Sequence, residues 1–138
     1  MSRREAAFSL NGSLTELQRL EAEVTGFCRE HSLTDEAAFD LNLILEELFT
    51  NALRHGGCAG LENAVHIHLE RDGGNMWVEF SDRGPAFDPL SAPAPDLEST
   101  LENRRPGGLG VHLVRQTIGS LDYRRVGGWN RITMRKSI

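Results

Sequence analysis

The sequence predicts an α+β fold, a two-layer sandwich of a mixed, mainly antiparallel sheet with its helices on one face. Two observations predict it. Apolar residues repeat at helical spacing through residues 14–30 and 34–55, and from residue 65 onward they alternate with polar residues. Helices grouped together, with strand patterns before and after them, are typical of an α+β sandwich and not of alternating βαβ units.

The first half of the chain contains one strand and two helices. Residues 5–10 form a short strand candidate. The first helix begins at a capping box, in which Ser13 accepts a free amide and Glu16 reaches back, and it continues to about residue 30. The second helix begins near Thr34 and ends at Gly56-Gly57. The apolar stripe of the first helix consists of Leu14, Leu17, Leu20, Val24 and Phe27.

A β-hairpin follows the second helix. Residues 65–69 alternate apolar and polar side chains, which indicates a half-buried strand. An Asp-Gly-Gly-Asn turn at residues 72–75 leads into the next strand, residues 76–81, with Val78 and Phe80 on one face.

The last third of the chain begins with a segment that shows no periodicity, residues 84–108, and this segment contains all five prolines. A structureless stretch of that length inside a small domain is usually functional, so we interpret it as a lid. A short helix over residues 109–119 follows. Two final strands, residues 121–126 and 129–135, turn through Gly127-Gly128.

The composition indicates one ordinary globular domain, which we expect to cover residues 1–138. Hydrophobic residues make up 39% and charged residues 25%, which argues against disorder. The formal net charge is -5, so we expect no direct nucleic acid partner. No apolar run approaches the ~20 residues of a membrane span, and we expect a cytoplasmic protein without membrane contact. Cys28 and Cys58 lack CxxC spacing, so free thiols are favoured and a disulfide stays open.

The first group of residues with a chemical pattern lies on the second helix. Glu47 and Asn51 are four residues apart and therefore lie side by side on one helix face. An amide oxygen suits Mg²⁺, which keeps most of its waters. A carboxylate one turn away could hold one of those waters or accept a proton from an attacking hydroxyl. For such a pair in isolation, a solvated helix face is the alternative.

The second group follows the strand of residues 76–81. Asp82 has the strand parity of Val78 and Phe80, so its side chain points towards the apolar face. An acid there needs a donor, and the exocyclic amine of adenine is one. Gly84 would let the backbone approach a ring closely. An ordinary turn at a strand end is the alternative.

The third group is a glycine-rich segment before the predicted helix of residues 109–119. Free amides at Gly107, Gly108 and Gly110 would form an anion site, which Arg104 and Arg105 could also approach. The segment is not a P-loop, since no Gly-Lys-Ser/Thr follows, and it lacks the third glycine of a dinucleotide-binding motif. A flexible helix entry is the alternative.

In the order Glu-x-x-x-Asn, Asp-x-Gly, long lid and glycine-rich helix start, these motifs resemble the GHKL ATPase superfamily of gyrase, mismatch-repair and histidine-kinase domains. Within this superfamily the sequence looks most similar to bacterial anti-sigma factor serine kinases, from about Ser13 to Lys136. The resemblance implies the Bergerat, or histidine kinase-like, ATPase fold with ATP and Mg²⁺ as cofactors and a lid at about residues 84–108.

The resemblance also implies a role for each matching residue. Glu47 would be the general base for an attacked serine, Asn51 the Mg²⁺ ligand, and Asp82 the acid that accepts from the adenine amine. Thr133 matches a last-strand position that supports the adenine acid. The remaining nucleotide-binding positions that it implies are Arg54, His55, Gly84, Arg105, Gly107, Gly108, Leu109 and Gly110.

The implied activity is phosphorylation of a STAS-domain anti-anti-sigma protein, which frees the kinase to sequester an RNA polymerase sigma factor. Relatives of this type dimerise, so a homodimer is also implied. Three alternatives stay open: an ATP-gated binding module without catalysis, the detached ATP domain of a histidine kinase, and a phosphatase-activating relative. The short segment before the second helix argues against the detached histidine-kinase domain. The Glu47 and Asn51 pair argues against the phosphatase-activating relative.

A few residues depart from the motifs or lie outside them. Many relatives have a glycine where this chain has Ala86, and a positive φ there would be strained for alanine. His66 and His68 lie two apart on the polar face of a strand, where surface histidines are favoured over a zinc site. Trp77 and Trp129 are predicted to cover the outer face of the sheet or an interface.

Overall fold

A computed structural model of the chain describes residues 4–86 and 120–137. The elements in order are β1 (Arg4–Leu10), α1 (Leu17–Glu30), α2 (Asp35–Arg54), β2 (Val65–Asp72), β3 (Asn75–Asp82), β4 (Ser120–Val126) and β5 (Trp129–Ser137). A 3-10 turn, Leu14–Glu16, precedes α1. The predicted helix over residues 109–119 and most of the proposed lid lie outside the described residues.

The strands form one sheet in the order β1-β2-β3-β5-β4. The α+β sandwich is confirmed, but the mixed component is not, since each pairing among the described strands is antiparallel. Because β3 and β5 are neighbours, the last residue of β3, Asp82, lies directly opposite Asn130 near the start of β5.

Each strand alternates between a face covered by the helices and an open face. The inner face and the helices share one core, in which the fully buried members include Leu20, Val24, Leu45, Phe49, Val65, Ile67, Leu69, Phe80, Ile132 and Met134. His66 and His68 alternate with these positions and are half-buried, and Trp77 is 37% exposed. The predicted alternation is therefore confirmed, and the tryptophans lie on the open face.

The start of α1 differs in detail from the predicted capping box. Ser13 accepts the Thr15 backbone N–H at 3.3 Å, but Glu16 accepts from the backbone N–H of Asn11, two residues before the cap. The tight 3-10 turn changes the phase of the helix at this end, so Leu14 is 52% exposed and does not join the core.

The second helix begins and ends close to its predicted bounds. Thr34 caps it by accepting the Ala37 backbone N–H at 3.1 Å. Its C-terminal turn is closed by the carbonyl of Asn51, which accepts from the backbone N–H groups of His55 and Gly56. The chain then turns back, so that residues 56–58 lie against the end of β3.

Candidate functional site

The candidate site is centred on the acid at the end of β3. Asp82 is 6% exposed, and one of its carboxylate oxygens, Oδ1, accepts three donors. The Gly84 backbone N–H donates at 3.0 Å, Asn130 Nδ2 at 2.9 Å and the Cys58 thiol at 3.5 Å. No described residue donates to the second oxygen, Oδ2. The carboxylate is therefore held at one oxygen and left as an acceptor at the other.

The residue that supports Asp82 is Asn130, which the sequence analysis missed. Asn130 is 1% exposed and lies opposite Asp82 in the register of β3 and β5. The prediction that Thr133 has this role is wrong, because Thr133 pairs with Glu79. An offset of three residues is about 10 Å along a strand and reverses the face. Thr133 lies between the buried Ile132 and Met134. Because side chains alternate along a strand, it faces the opposite side of the sheet from Asp82, and the apolar residues on either side of it were the signal for this.

Backbone contacts join the end of α2 to the end of β3. A Cβ atom on Gly84 would lie 1.8 Å from the carbonyl oxygen of Gly56, so only glycine fits there. Gly84 therefore makes a close backbone approach to Gly56, and its approach to a purine ring stays a prediction. Pro85 lies against Gly57 in the same contact. These contacts fix the helix that carries Glu47 and Asn51 against the acid of β3.

Glu47 and Asn51 occupy the last turns of α2. Asn51 is 7% exposed, and its backbone carbonyl closes the helix end as described above. Glu47 is half-buried, and its Oε1 atom is buried without a hydrogen-bond partner in the described part of the chain. Burial raises the pKa of Glu47, and the nearby Arg54 guanidinium opposes this shift in part. A buried carboxylate oxygen of this kind can accept a donor that a ligand supplies.

The other predicted residues divide into two sets. Arg54 and His55 are both exposed at the C-terminal end of α2. The glycine-rich segment and its arginine, namely Arg105, Gly107, Gly108, Leu109 and Gly110, lie outside the described residues. Ala86 does not adopt a positive φ, so the condition under which alanine would be strained there is not met.

The donor set of this site fits a hydrated magnesium ion and an amino purine. An amide oxygen at Asn51 is a ligand that Mg²⁺ accepts, and the unpartnered oxygen of Glu47 one turn away suits a metal-bound water or a hydroxyl group. Oδ2 of Asp82 suits the exocyclic amine of adenine.

Comparison with known proteins identifies the family. A family model described as a histidine kinase-like ATPase domain matches residues 10–136. The chain belongs to the histidine kinase-like ATPase family. The resemblance seen in the sequence is thereby confirmed, and so is the fold that it implied.

One curated relative and two solved structures are similar to this histidine kinase-like ATPase. The chain is 33% identical over 96 residues to the serine/threonine-protein kinase BtrW of Bordetella bronchiseptica, covering 70% of this chain and 68% of BtrW. The crystal structure of the RsbU and RsbW domains of Rv1364c from Mycobacterium tuberculosis matches 96% of this chain with a TM-score of 0.70 at 14% identity. The histidine kinase AdeS of Acinetobacter baumannii matches 99% of it with a TM-score of 0.51 at 18% identity.

These structural matches show the fold alone, because their sequence identities are low. The chain spans 32% of the Rv1364c chain in the first structure and 68% of the AdeS chain in the second. No helix in the described residues is both long and apolar enough to cross a membrane.

The open face of the sheet carries a separate groove of about 410 Å³, lined by Ser9, Asn63, His66, Ser81, Trp129 and Arg131. On the same face, possible ligand atoms of Glu5, His68 and Glu70 lie within 4.8 Å of one another. His68 Nε2 lies 3.4 Å from Glu5 Oε2, which is the geometry of a surface ion pair. Neither feature shares a side chain with the Asp82 site.

Proposed function

We propose that this histidine kinase-like ATPase is an ATP-dependent protein-serine kinase that acts as an anti-sigma factor. The observation that carries the proposal is the buried, unpartnered Oε1 atom of Glu47, one helical turn from Asn51. A module that only bound ATP would gain nothing from burying an acid without a donor, because such burial destabilises the fold.

The nucleotide would be held at two ends. Asp82 would accept the adenine amine at Oδ2 while Asn130 and the Gly84 N–H keep Oδ1 occupied. Asn51 would hold Mg²⁺ through its amide oxygen, and the ion when bound supplies charge neutralisation for the phosphates. At the phosphate end the site would be completed by Arg54, His55, Arg105, Gly107, Gly108, Leu109 and Gly110.

Glu47 would act as the general base. The serine Oγ of the substrate forms a bond to the γ-phosphorus, the bond from that phosphorus to the bridging oxygen of ADP breaks, and the serine proton passes to the Glu47 carboxylate. A raised pKa makes the ionised carboxylate a stronger proton acceptor. Alignment of the two groups supplies most of the remaining acceleration.

The proposed substrate is a STAS-domain anti-anti-sigma protein, and the proposed second partner is an RNA polymerase sigma factor. Similarity to BtrW, which is named a serine/threonine-protein kinase, supports the kinase over a non-catalytic switch. A cytoplasmic location, a homodimer and one domain over residues 1–138 remain parts of the same proposal.

Phosphotransfer from labelled Mg-ATP to purified STAS-domain proteins tests the function. We expect phosphoserine on one of them, and we expect Glu47→Gln to lower the transfer rate by about 10²- to 10⁴-fold while ATP binding is retained. Glu46→Gln is the matched control, because Glu46 lies about 100° around the helix from Glu47. This variant should transfer phosphate at the wild-type rate.

If Glu47→Gln transfers phosphate at the wild-type rate, Glu47 is not the general base. ATP binding without transfer to any STAS-domain protein would instead favour the ATP-gated binding module.

A further inference from the structure

The orientation of the Asn130 amide follows from contacts on its oxygen. The Tyr123 hydroxyl donates to Asn130 Oδ1 at 2.6 Å, and Arg125 Nη1 donates to the same oxygen at 3.2 Å. Both donors belong to β4, and Arg125 stands directly opposite Asn130 in the register. The end of the amide that points away from Asp82 is thus occupied by two donors.

The two ends of an asparagine amide have the same shape, and only their contacts distinguish them. On the other end, Asn130 Nδ2 donates to Asp82 Oδ1 at 2.9 Å and to the Pro85 carbonyl at 2.8 Å. A reversed amide would turn its oxygen towards the Asp82 carboxylate and its NH₂ group towards Arg125. Tyr123 could reverse its role, since a hydroxyl also accepts, but a guanidinium has no acceptor. Arg125 therefore requires the same orientation of the amide that the Asp82 and Pro85 oxygens require at its other end.

Arg125 also contacts the loop that follows β3. Its Nη1 atom donates to the carbonyl oxygen of Gly84 at 2.7 Å. The N–H of Gly84 in turn donates to Asp82 Oδ1. The Arg125 guanidinium thus holds both the Asn130 amide and Gly84. Asn130 and Gly84 supply two of the three donors to Asp82 Oδ1.

We propose that Tyr123 and Arg125 are positioning residues for base selection. By fixing the Asn130 amide and Gly84, they keep Asp82 Oδ1 occupied and present Oδ2 to the exocyclic amine of a 6-amino purine. A 6-oxo purine would present an acceptor oxygen to this carboxylate and is rejected. The inference rests on the proposed nucleotide site and extends it to residues that touch neither base nor phosphate.

The affinities of Arg125→Met for ATP and ITP, measured on the full chain with Mg²⁺, test the inference. We expect the Kd for ATP to rise about tenfold and that for ITP to change less than about twofold, so the preference for ATP falls about tenfold. Tyr123→Phe alone should lower this preference only about two- to threefold, because Arg125 still fixes the amide.

Arg124→Met is the matched control. Arg124 is the neighbouring residue of the same strand, points to the opposite face and pairs with the exposed Asp122 at 3.1 Å. Its replacement should leave both affinities unchanged. A reduced preference in Arg124→Met as well would show a general effect of lost positive charge and would overturn the inference.

Circular dichroism establishes that each variant is folded. If Arg125→Met does not fold, Arg125→Gln, whose amide offers an acceptor as well as donors, and Tyr123→Phe give the same comparison. A folded Arg125 variant with an unchanged preference for ATP over ITP overturns the inference and leaves the proposed kinase intact. A wild-type chain that binds neither nucleotide overturns the proposed function itself.

Discussion

At the scale of single residues, Glu47 combines two opposing requirements. Burial raises the pKa of its carboxyl, and Oε1 lacks a partner among the described residues. The ionised form therefore misses the donors that water would supply, which destabilises the folded state. The same environment suits a proton acceptor, so under the proposed mechanism Glu47 would exchange stability for chemistry.

Glu47→Gln is expected to stabilise the fold at neutral and alkaline pH. Because the folded pKa is raised, the folded state binds this proton more tightly than the unfolded state does. The wild-type chain therefore loses stability as the pH rises from the unfolded value of about 4.3 through the folded pKa. Glutamine does not titrate, so the variant should gain about 0.5–1 kcal/mol at alkaline pH, and this gain should vanish in acid. Urea unfolding over a series of pH values measures it.

Glu23→Gln on α1 is the control, because Glu23 is exposed. It should shift the free energy of unfolding by less than about 0.5 kcal/mol at every pH. A Glu47→Gln protein that is less stable than the wild type at alkaline pH would contradict this account of Glu47.

At the scale of elements, the contact between the end of α2 and the end of β3 sets the distance between the two halves of the site. These two segments of the chain touch through backbone atoms at Gly56 and Gly84, without an intervening side chain. Backbone contacts of this kind do not yield as a flexible side chain would, so we expect the distance to be insensitive to most substitutions nearby.

Gly84→Ala tests this contact. The added Cβ would overlap the Gly56 carbonyl oxygen, so the free energy of unfolding should fall by about 2–4 kcal/mol and ATP affinity should fall with it. Gly26→Ala is the control, since no atom lies within 4 Å of a Cβ there and Gly26 lies inside α1. It should gain about 0.5–1 kcal/mol. Equal stabilities of the two variants in thermal unfolding would refute the contact.

At the level of strands, side-chain direction could be predicted from the sequence and the pairing between strands could not. Strand parity is a local property, so the inward side chain of Asp82 could be predicted from Val78 and Phe80. Register between strands is not local: Asp82 and Asn130 are 48 residues apart, and their pairing depends on the whole sheet. The incorrect prediction for Thr133 arose because the register between β3 and β5 could not be read from the sequence.

Other parts of the site had no signal in the sequence. Tyr123 and Arg125 are ordinary strand residues by their pattern, and only the pairing of β4 with β5 brings them to Asn130. The exposed Leu14 shows the same limit at a helix end, where a 3-10 turn shifted the phase.

At the scale of the whole molecule, nucleotide binding should couple the helix layer to the sheet, because Asn51 belongs to one and Asp82 to the other. A ligand that binds only the folded state stabilises it, by about 2.7 kcal/mol at one hundred times its Kd. We therefore expect Mg-ATP to stabilise the wild-type chain more than ATP with EDTA does.

Asn51→Ala should abolish this difference, because the amide oxygen proposed to hold the ion is gone. Thermal unfolding with Mg-ATP and with ATP plus EDTA gives the comparison. Asn42→Ala removes a half-buried amide from the same helix and should keep the dependence on Mg²⁺. An Asn51→Ala protein that still responds to EDTA as the wild type does would exclude Asn51 as the ligand.

The open face of the sheet has a consequence for how such a domain changes over evolution. The strands that aim Asp82 and Asn130 inward carry the half-buried Trp129 and Arg131 on the reverse side. Substitutions there change that surface without removing any of the hydrogen bonds to Asp82. A lineage could therefore vary the surface on one side of a single sheet while the Asp82 site on the other side is inherited unchanged.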